Sequence, residues 1–308
     1  MPATIAAIAA KLGDAARRFD IDLLPSCDST NAVLLSCAEA GAPSGTVVIA
    51  TEQTAGRGRR GRSWFAGAGD SLTFSLLWRF APGTAPAGLS LAIGVAVARA
   101  LSGVGRPLAA EGDPRSGGVA AASGMRDAEL RSAGAASAST VASPQAGPLL
   151  RASASPGDTA LKWPNDILRG GRKLGGILVE LLPGAPHAAV IGIGINLHLP
   201  PGMPGDLRAA SAALCAAGET ADENALYAAL LGELLATLEV FAAHGFAALR
   251  PEWLARHAFQ DAGVSLASDF GAPRVGICRG VDSDGALLLE VDGQVERILS
   301  GEVSLRPA

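Results

Sequence analysis

The sequence predicts an α+β fold, with a mixed or antiparallel sheet flanked by helices and a small all-β unit at the C-terminal end. Three observations predict it. Ser71 to Phe80 alternates, with Leu72, Phe74, Leu76, Trp78 and Phe80 on one face and Thr73, Ser75 and Arg79 on the other, the pattern of a half-buried strand. Leu89 to Leu101 and Asp222 to His244 have the length and apolar content of helices; the second opens on acidic residues and closes at Gly245. From Val264 onward short β-rich runs are punctuated by Asp284-Gly285 and Asp292-Gly293, both hairpin signals. The 308 residues accommodate two domains, 1–260 and 261–308, with the boundary near Asp261.

Composition narrows the function classes. A net charge of −4 and an isoelectric point near 5.6 argue against a general nucleic-acid binder. Cys27, Cys37, Cys215 and Cys278 are scattered with no CxxC pair, which argues against a disulfide scaffold or zinc ribbon and suits a reducing cytosol. His187, His198, His244 and His257 show no metal-ligand spacing. Mean hydropathy is +0.30, driven by alanine and glycine. The apolar stretch Gly88 to Leu101 is too short to cross a bilayer and carries Arg99. The N-terminus lacks a basic region ahead of its apolar residues. A soluble cytoplasmic protein is expected, with no membrane partner.

In chain order, Ile5 to Phe19 reads as a short amphipathic helix with Ile8, Leu12 and Phe19 on its apolar side. Asp28, Ser29 and Thr30 are N-cap candidates for a helix ended by Gly41. Their hydroxyls either cap the helix or hold a polar ligand head at its N-terminus. Gly45 to Gln53 is a β-branched strand leading into Thr51 to Trp64, TEQTAGRGRRGRSW. There Gly56, Gly58 and Gly61 disfavour regular structure, while Arg57, Arg59, Arg60 and Arg62 offer planar, bidentate donors to a carboxylate or polyphosphate. Such a loop is either a solvated basic tether or an anion clamp that orders on its ligand. It joins two antiparallel strands.

Arg106 to Thr159 is dominated by alanine, serine, glycine and proline, and reads as a disordered insertion dispensable for chemistry. Order resumes with ALKWPND, a strand ending in a Pro164–Asp166 turn, then a strand from Ile177 to Leu182. Ala189 to Leu199 follows, with Ile191, Ile193, Ile195 and Leu197 on one face and Val190, Gly192, Gly194 and Asn196 on the other. Two glycines in register leave room for something close against the backbone, either a flat ligand or another segment of the chain. GIGIN lacks the third glycine and following helix of a dinucleotide fingerprint, and there is no GxxxxGK[ST]. Phe246 to Phe259 reads as a further helix around Pro251.

Taken in order, CDSTN, TEQTAGRGRRGRSW, LKWPND, RKLGGILVEL and IGIGINLHL resemble the biotin protein ligases, and GALLLEVDG…SGEVSLR resembles their SH3-like terminal domain. The resemblance runs from about Asp28 to Arg306, outside the insertion. It implies a catalytic domain of the class II aminoacyl-tRNA synthetase-like, biotin/lipoate-ligase type. It also implies a ligase that makes biotinyl-5′-AMP from biotin and ATP, with Mg²⁺ on the phosphates, and transfers biotin to a lysine of a biotin carboxyl carrier protein, such as that of acetyl-CoA carboxylase. Only one short helix precedes the first motif, so a ligase without the repressor's DNA-binding domain is expected, with no DNA partner. Oligomeric state stays open, a homodimer included.

The resemblance assigns roles residue by residue. Lys173, Arg59 and Arg57 are the catalytic candidates. Ser29, Thr30, Gln53, Gly56, Arg57, Lys173, Gly176 and Gly192 are the biotin candidates, the first three at its ureido head. Arg59, Arg60, Arg62, Trp64, Lys162, Asp166, Lys173 and Asn196 are the nucleotide candidates. Gly194 completes the ligand floor, and Asp166 is the one protein group offered to Mg²⁺. Bland readings stand beside these: Lys162 as a structural ion pair, Trp64 as core. The rivals are a lipoate or octanoate ligase, a non-catalytic biotin-binding regulator and an arginine–glycine RNA binder.

Overall fold

The computed structural model describes residues 2–84, 86–104, 159–268, 272–299 and 303–307. The expected insertion therefore lies outside the described residues, except for Thr159.

A seven-stranded sheet carries the site, in the order β1-β2-β3-β7-β6-β5-β4. Its strands are β1 (Asp20–Cys27), β2 (Thr46–Gln53), β3 (Ser71–Arg79), β4 (Thr159–Lys162), β5 (Asp166–Arg169), β6 (Arg172–Leu182) and β7 (Ala185–Asn196). Only β1 and β2 pair in parallel; every other neighbour is antiparallel. The mixed sheet agrees with the expectation, and β2 and β3 are antiparallel with the arginine loop between them.

Three strand expectations change. β3 is buried along both faces, not half-buried. Leu72, Phe74, Leu76 and Trp78 join the main core, while Leu77 meets Leu34 and Ala38 of α2 (Thr30–Glu39). β1 was not expected: Asp20–Cys27 shows no clean alternation and contains Pro25, which an edge strand tolerates. The strand expected from Ile177 begins earlier, at Arg172, because Gly170 and Gly171 (φ 56° and 74°) turn the chain tightly out of β5.

Helices cover the sheet. α1 (Ile5–Leu12) ends at Gly13, whose φ of 59° stops the expected longer helix; a 3₁₀ turn leads on to β1. α3 (Leu89–Val104) and α5 (Glu223–His244) supply the main core, with Ile93, Val97, Leu230, Leu234 and Phe241 fully buried or nearly so. Asp222 caps α5 through Ala225 N–H, and Gly245 at φ 65° closes it. α5 is the one described helix long and apolar enough to cross a membrane, and about half of that stretch is buried against the sheet and α3. α4 (Gly205–Ala210) and α6 (Arg250–Arg256) are short; Pro251 starts α6 where its missing N–H costs nothing.

The C-terminal strands β8 (Gly263–Ser268), β9 (Arg274–Val281), β10 (Leu287–Val291), β11 (Gln294–Ile298) and β12 (Val303–Pro307) form one antiparallel sheet, ordered β11-β10-β9-β8-β12. Asp292 and Gly293, both at positive φ, make the tight β10–β11 turn that the Asp-Gly pair predicted. Among the described residues, this unit shows no separate core cluster. Val264, Leu266, Cys278, Leu287 and Leu305 belong to the main cluster. Trp163, fully buried after β4, donates its indole N–H to Gly285 O at 3.1 Å. His257 is buried between Leu161 O and Cys278 Sγ, 3.2 Å from each. These links tie the second sheet to the turn that bears Lys162 and Asp166.

Candidate active site

The arginine segment folds back on itself as a compact hairpin. Trp64 N–H donates to Gly56 O at 2.8 Å, and Gly58 N–H to Arg62 O at 2.7 Å. Gly61 and Arg60 take positive φ (65° and 62°) at its tip. The hairpin lies over a cavity of about 260 Å³, open on the face of β6 and β7 where the glycines sit.

Part of the cavity wall is neutral and polar. Ser29, Thr30 and Asn31 at the start of α2 are nearly buried. Ser29 is the N-cap residue, its carbonyl accepting Val33 N–H at 3.0 Å, but its hydroxyl makes no capping bond. Instead Gln53 Oε1, reaching from the end of β2, accepts Thr30 N–H at 2.8 Å and lies 3.2 Å from Thr30 Oγ1. That leaves the Gln53 amide nitrogen as a donor beside the cavity.

Much of the remaining lining is cationic. Arg57, Arg59, Arg60, Arg62, Lys162 and Lys173 line the cavity against the single carboxylate of Asp166. Asp166 Oδ2 pairs with Lys162 at 2.7 Å and Oδ1 with Lys173 at 2.7 Å. Burial pushes the Asp166 carboxyl upward, but the two ammonium groups outweigh it and hold its pKa below the usual range. Arg59 points to Asn165 Oδ1 at 3.4 Å. Its pKa is lowered, first by burial and then by Arg60 and Arg62, with Asp166 opposing; a guanidinium stays charged regardless. Such a surplus of fixed positive charge favours an anion that brings its own negative charge.

The glycine face accounts for close packing by the chain itself. A Cβ on Gly192 would lie 2.1 Å from Asn31 Oδ1, and one on Gly194 would lie 2.5 Å from the Trp64 indole. Protein side chains thus rest on both glycines, which also line the cavity. Gly176 leaves room for the Lys173 stem, which a Cβ there would meet at 3.4 Å. Lys173 Nζ is 6.0 Å from the Trp64 ring centre. The Trp64 indole N–H is buried with no partner.

Every expected site residue lines this cavity except Gly56. Gly56 serves the hairpin closure: a Cβ there would meet Trp64 O at 2.5 Å. Asn196 lines the cavity, but its amide nitrogen is committed to Ala212 O (3.0 Å) and Lys173 O (3.4 Å), so it braces the lysine strand from behind. Sequence reasoning missed Asn31, Ser75, Asn165 and Glu180. Glu180 had a usable signal, a carboxylate within the otherwise apolar run ILVELL. Among the described residues no histidine or cysteine lines the cavity.

Residues 23–196 match the Biotin/lipoate A/B protein ligase family, and residues 271–306 match the Biotin protein ligase C terminal domain. The chain is 36% identical over 292 residues to the bifunctional ligase/repressor BirA of Escherichia coli K12, covering 94% of this chain and 74% of that protein. It is 32% identical over 286 residues to the biotin–[acetyl-CoA-carboxylase] ligase of Paracoccus denitrificans, covering 91% of this chain and 98% of that one. Among solved structures, the biotin protein ligase from Aquifex aeolicus in complex with biotin and ATP superposes with a TM-score of 0.66 at 23% identity, over 94% of this chain and 99% of that one; the fold is shared. By sequence, the chain belongs to the biotin/lipoate A/B protein ligase family.

Proposed function

We propose that this biotin protein ligase joins the carboxylate of biotin to the α-phosphate of ATP, releases pyrophosphate, and passes biotin to one lysine of a biotin carboxyl carrier protein of a carboxylase. The observation that carries this reading is the mixed lining of the cavity: a neutral wall of Thr30 and Gln53 together with six cationic side chains. A cyclic urea fits the first, and a carboxylate meeting a triphosphate fits the second.

Two anions must approach each other in adenylation, so the protein's task is to supply positive charge in place before the reaction. Lys173, beside the Trp64 ring and Gly176, would lie between the biotin carboxylate and the α-phosphate. Arg57 and Arg59 would close over the reacting groups, with Arg60 and Arg62 toward the nucleotide. A hairpin folded over the cavity would shield the mixed anhydride from water and stray amines.

Asp166 is an unpromising metal ligand, since each of its oxygens already holds a lysine. No group of three or more His, Cys, Asp or Glu able to hold a metal occurs among the described residues. We infer that Mg²⁺ enters on the nucleotide phosphates. We further place the reaction in the cytoplasm, without DNA, and assign the unpaired edge of β1 to carrier docking or to a homodimer. Incubation with ATP, biotin and a carboxylase carrier domain, followed by mass analysis of the carrier, tests the whole reading. One biotin on one lysine is expected; an unmodified carrier overturns the transfer.

A further inference from the structure

Behind the neutral wall lies a chain of polar groups that the reaction itself does not use. Asn31 Nδ2 donates to Glu180 Oε2 at 2.7 Å and to Leu178 O at 3.3 Å. Asn31 Oδ1 lies 2.6 Å from Ser75 Oγ, and Ser75 Oγ lies 2.8 Å from Thr30 Oγ1. Ser75 is fully buried, and Thr30 and Asn31 are 4% and 3% exposed, so water does not compete for these bonds.

We propose that Glu180, Asn31 and Ser75 are positioning residues that fix Thr30 as a proton acceptor toward the ligand and so set which edge of a urea the site accepts. The reasoning follows the protons. A carboxylate and a backbone carbonyl only accept, so both must face the Asn31 NH₂ group, and the Asn31 carbonyl is turned to Ser75. Ser75 has one proton and spends it on that carbonyl. Its oxygen can then only accept from Thr30, whose one proton stays within the wall, with Ser75 Oγ at 2.8 Å as its nearer acceptor and Gln53 Oε1 at 3.2 Å as the other. The free lone pair of Thr30 Oγ1 faces forward. Gln53 is fixed the opposite way, since its oxygen takes Thr30 N–H and its NH₂ is left to donate. The wall therefore offers an acceptor beside a donor, the complement of one N–H and C=O edge.

The anchor of the chain also bears on the loop. Glu180 Oε1 is 3.9 Å from an Arg57 guanidinium nitrogen, so the carboxylate that orients Asn31 also faces the hairpin's first arginine. Gly192 is required for this arrangement, because any side chain there would collide with the Asn31 amide.

The inference rests on the biotin reading, and one experiment separates the two. Adenylation is measured with biotin and with the two cyclic carbamate analogues, in which one or the other ureido N–H is replaced by a ring oxygen. The wild-type chain should prefer biotin by at least about a hundredfold in kcat/KM over the analogue that sets its ring oxygen against Thr30, because two acceptors then face each other. Ser75→Ala removes the nearer acceptor of the Thr30 proton and leaves only Gln53 Oε1 at 3.2 Å, so the proton can turn forward and the preference should fall at least about tenfold. Asn31→Ser, which removes the carbonyl that takes the Ser75 proton, should relax it in the same direction. A general loss of packing would lower kcat/KM for all three acids together and leave the ratios in place. Unchanged ratios in both variants, with wild-type adenylation of biotin intact, overturn the inference alone. A wild-type chain inert toward biotin overturns the reading beneath it as well.

Discussion

Replacing Lys173 with methionine keeps the aliphatic stem beside Trp64 and Gly176 but removes the charge. Lys173 Nζ sits 2.7 Å from Asp166 Oδ1 and 6.0 Å from the Trp64 ring centre, with its side chain 39% exposed. A unit charge about 4 Å from the charge developing on phosphorus is worth about 4 kcal/mol at an effective dielectric near 20. Partial exposure lowers this toward about 3 kcal/mol, or about a hundredfold in rate. Asp166 keeps Lys162 at 2.7 Å, so the variant is left without an unpaired buried carboxylate and should fold normally. The assay is single-turnover release of pyrophosphate in the presence of biotin, with biotin affinity measured separately so that a rate loss is not mistaken for weaker binding. A rate within about threefold of wild type would refute the transition-state role, because so small a change corresponds to under about 1 kcal/mol.

Other perturbations follow from the same geometry. Gly192→Ala drives a Cβ into the Asn31 amide, so biotin KM should rise at least about tenfold while ATP KM stays near wild type, read by steady-state kinetics; equal changes in both would contradict the packing described. Arg59→Gly opens the hairpin over the cavity, and biotin should appear on bystander lysines, detected by proteomic mass spectrometry; strict carrier selectivity would count against a shielding role. His257 is held neutral by burial, its pKa near 4 against an ordinary 6.5. Because the unfolded chain binds that proton first, stability should be full above about pH 6.5 and fall by roughly 3 kcal/mol toward pH 4. His257→Leu should flatten that slope in urea unfolding, and an identical slope would remove His257 as its source.

What the sequence disclosed and what it hid have physical causes. The arginine loop and the glycine face of β7 were legible because glycine at fixed spacing states a backbone requirement directly. Lys162, Asp166 and Lys173 were found as separate candidates, yet their merger into one ion-pair cluster depends on β5 pairing with β6, a long-range fact. Asn31 and Ser75 were passed over because polar residues beside a cap motif and within an alternating strand have ordinary explanations. Only the meeting of α2 with β3 and β6 makes them a chain. That the Gln53 side chain, and not the Ser29 hydroxyl, takes a free N–H at the start of α2 was hidden for the same reason. β1 gave too weak a signal, since a proline-bearing edge strand needs no alternation. The C-terminal strands were read correctly as strands, but not their shared core, because periodicity gives the buried face and not the partner that buries it.

The most direct test of the central claim is biotin-dependent exchange of radiolabelled pyrophosphate into ATP, with Mg²⁺ and no carrier protein present. The account predicts exchange with biotin and none with lipoate or octanoate, since the neutral wall complements a urea edge and the cationic lining an acyl phosphate. Exchange with lipoate or octanoate but not with biotin would contradict the assignment of that wall. Silence with every acid would contradict adenylation itself.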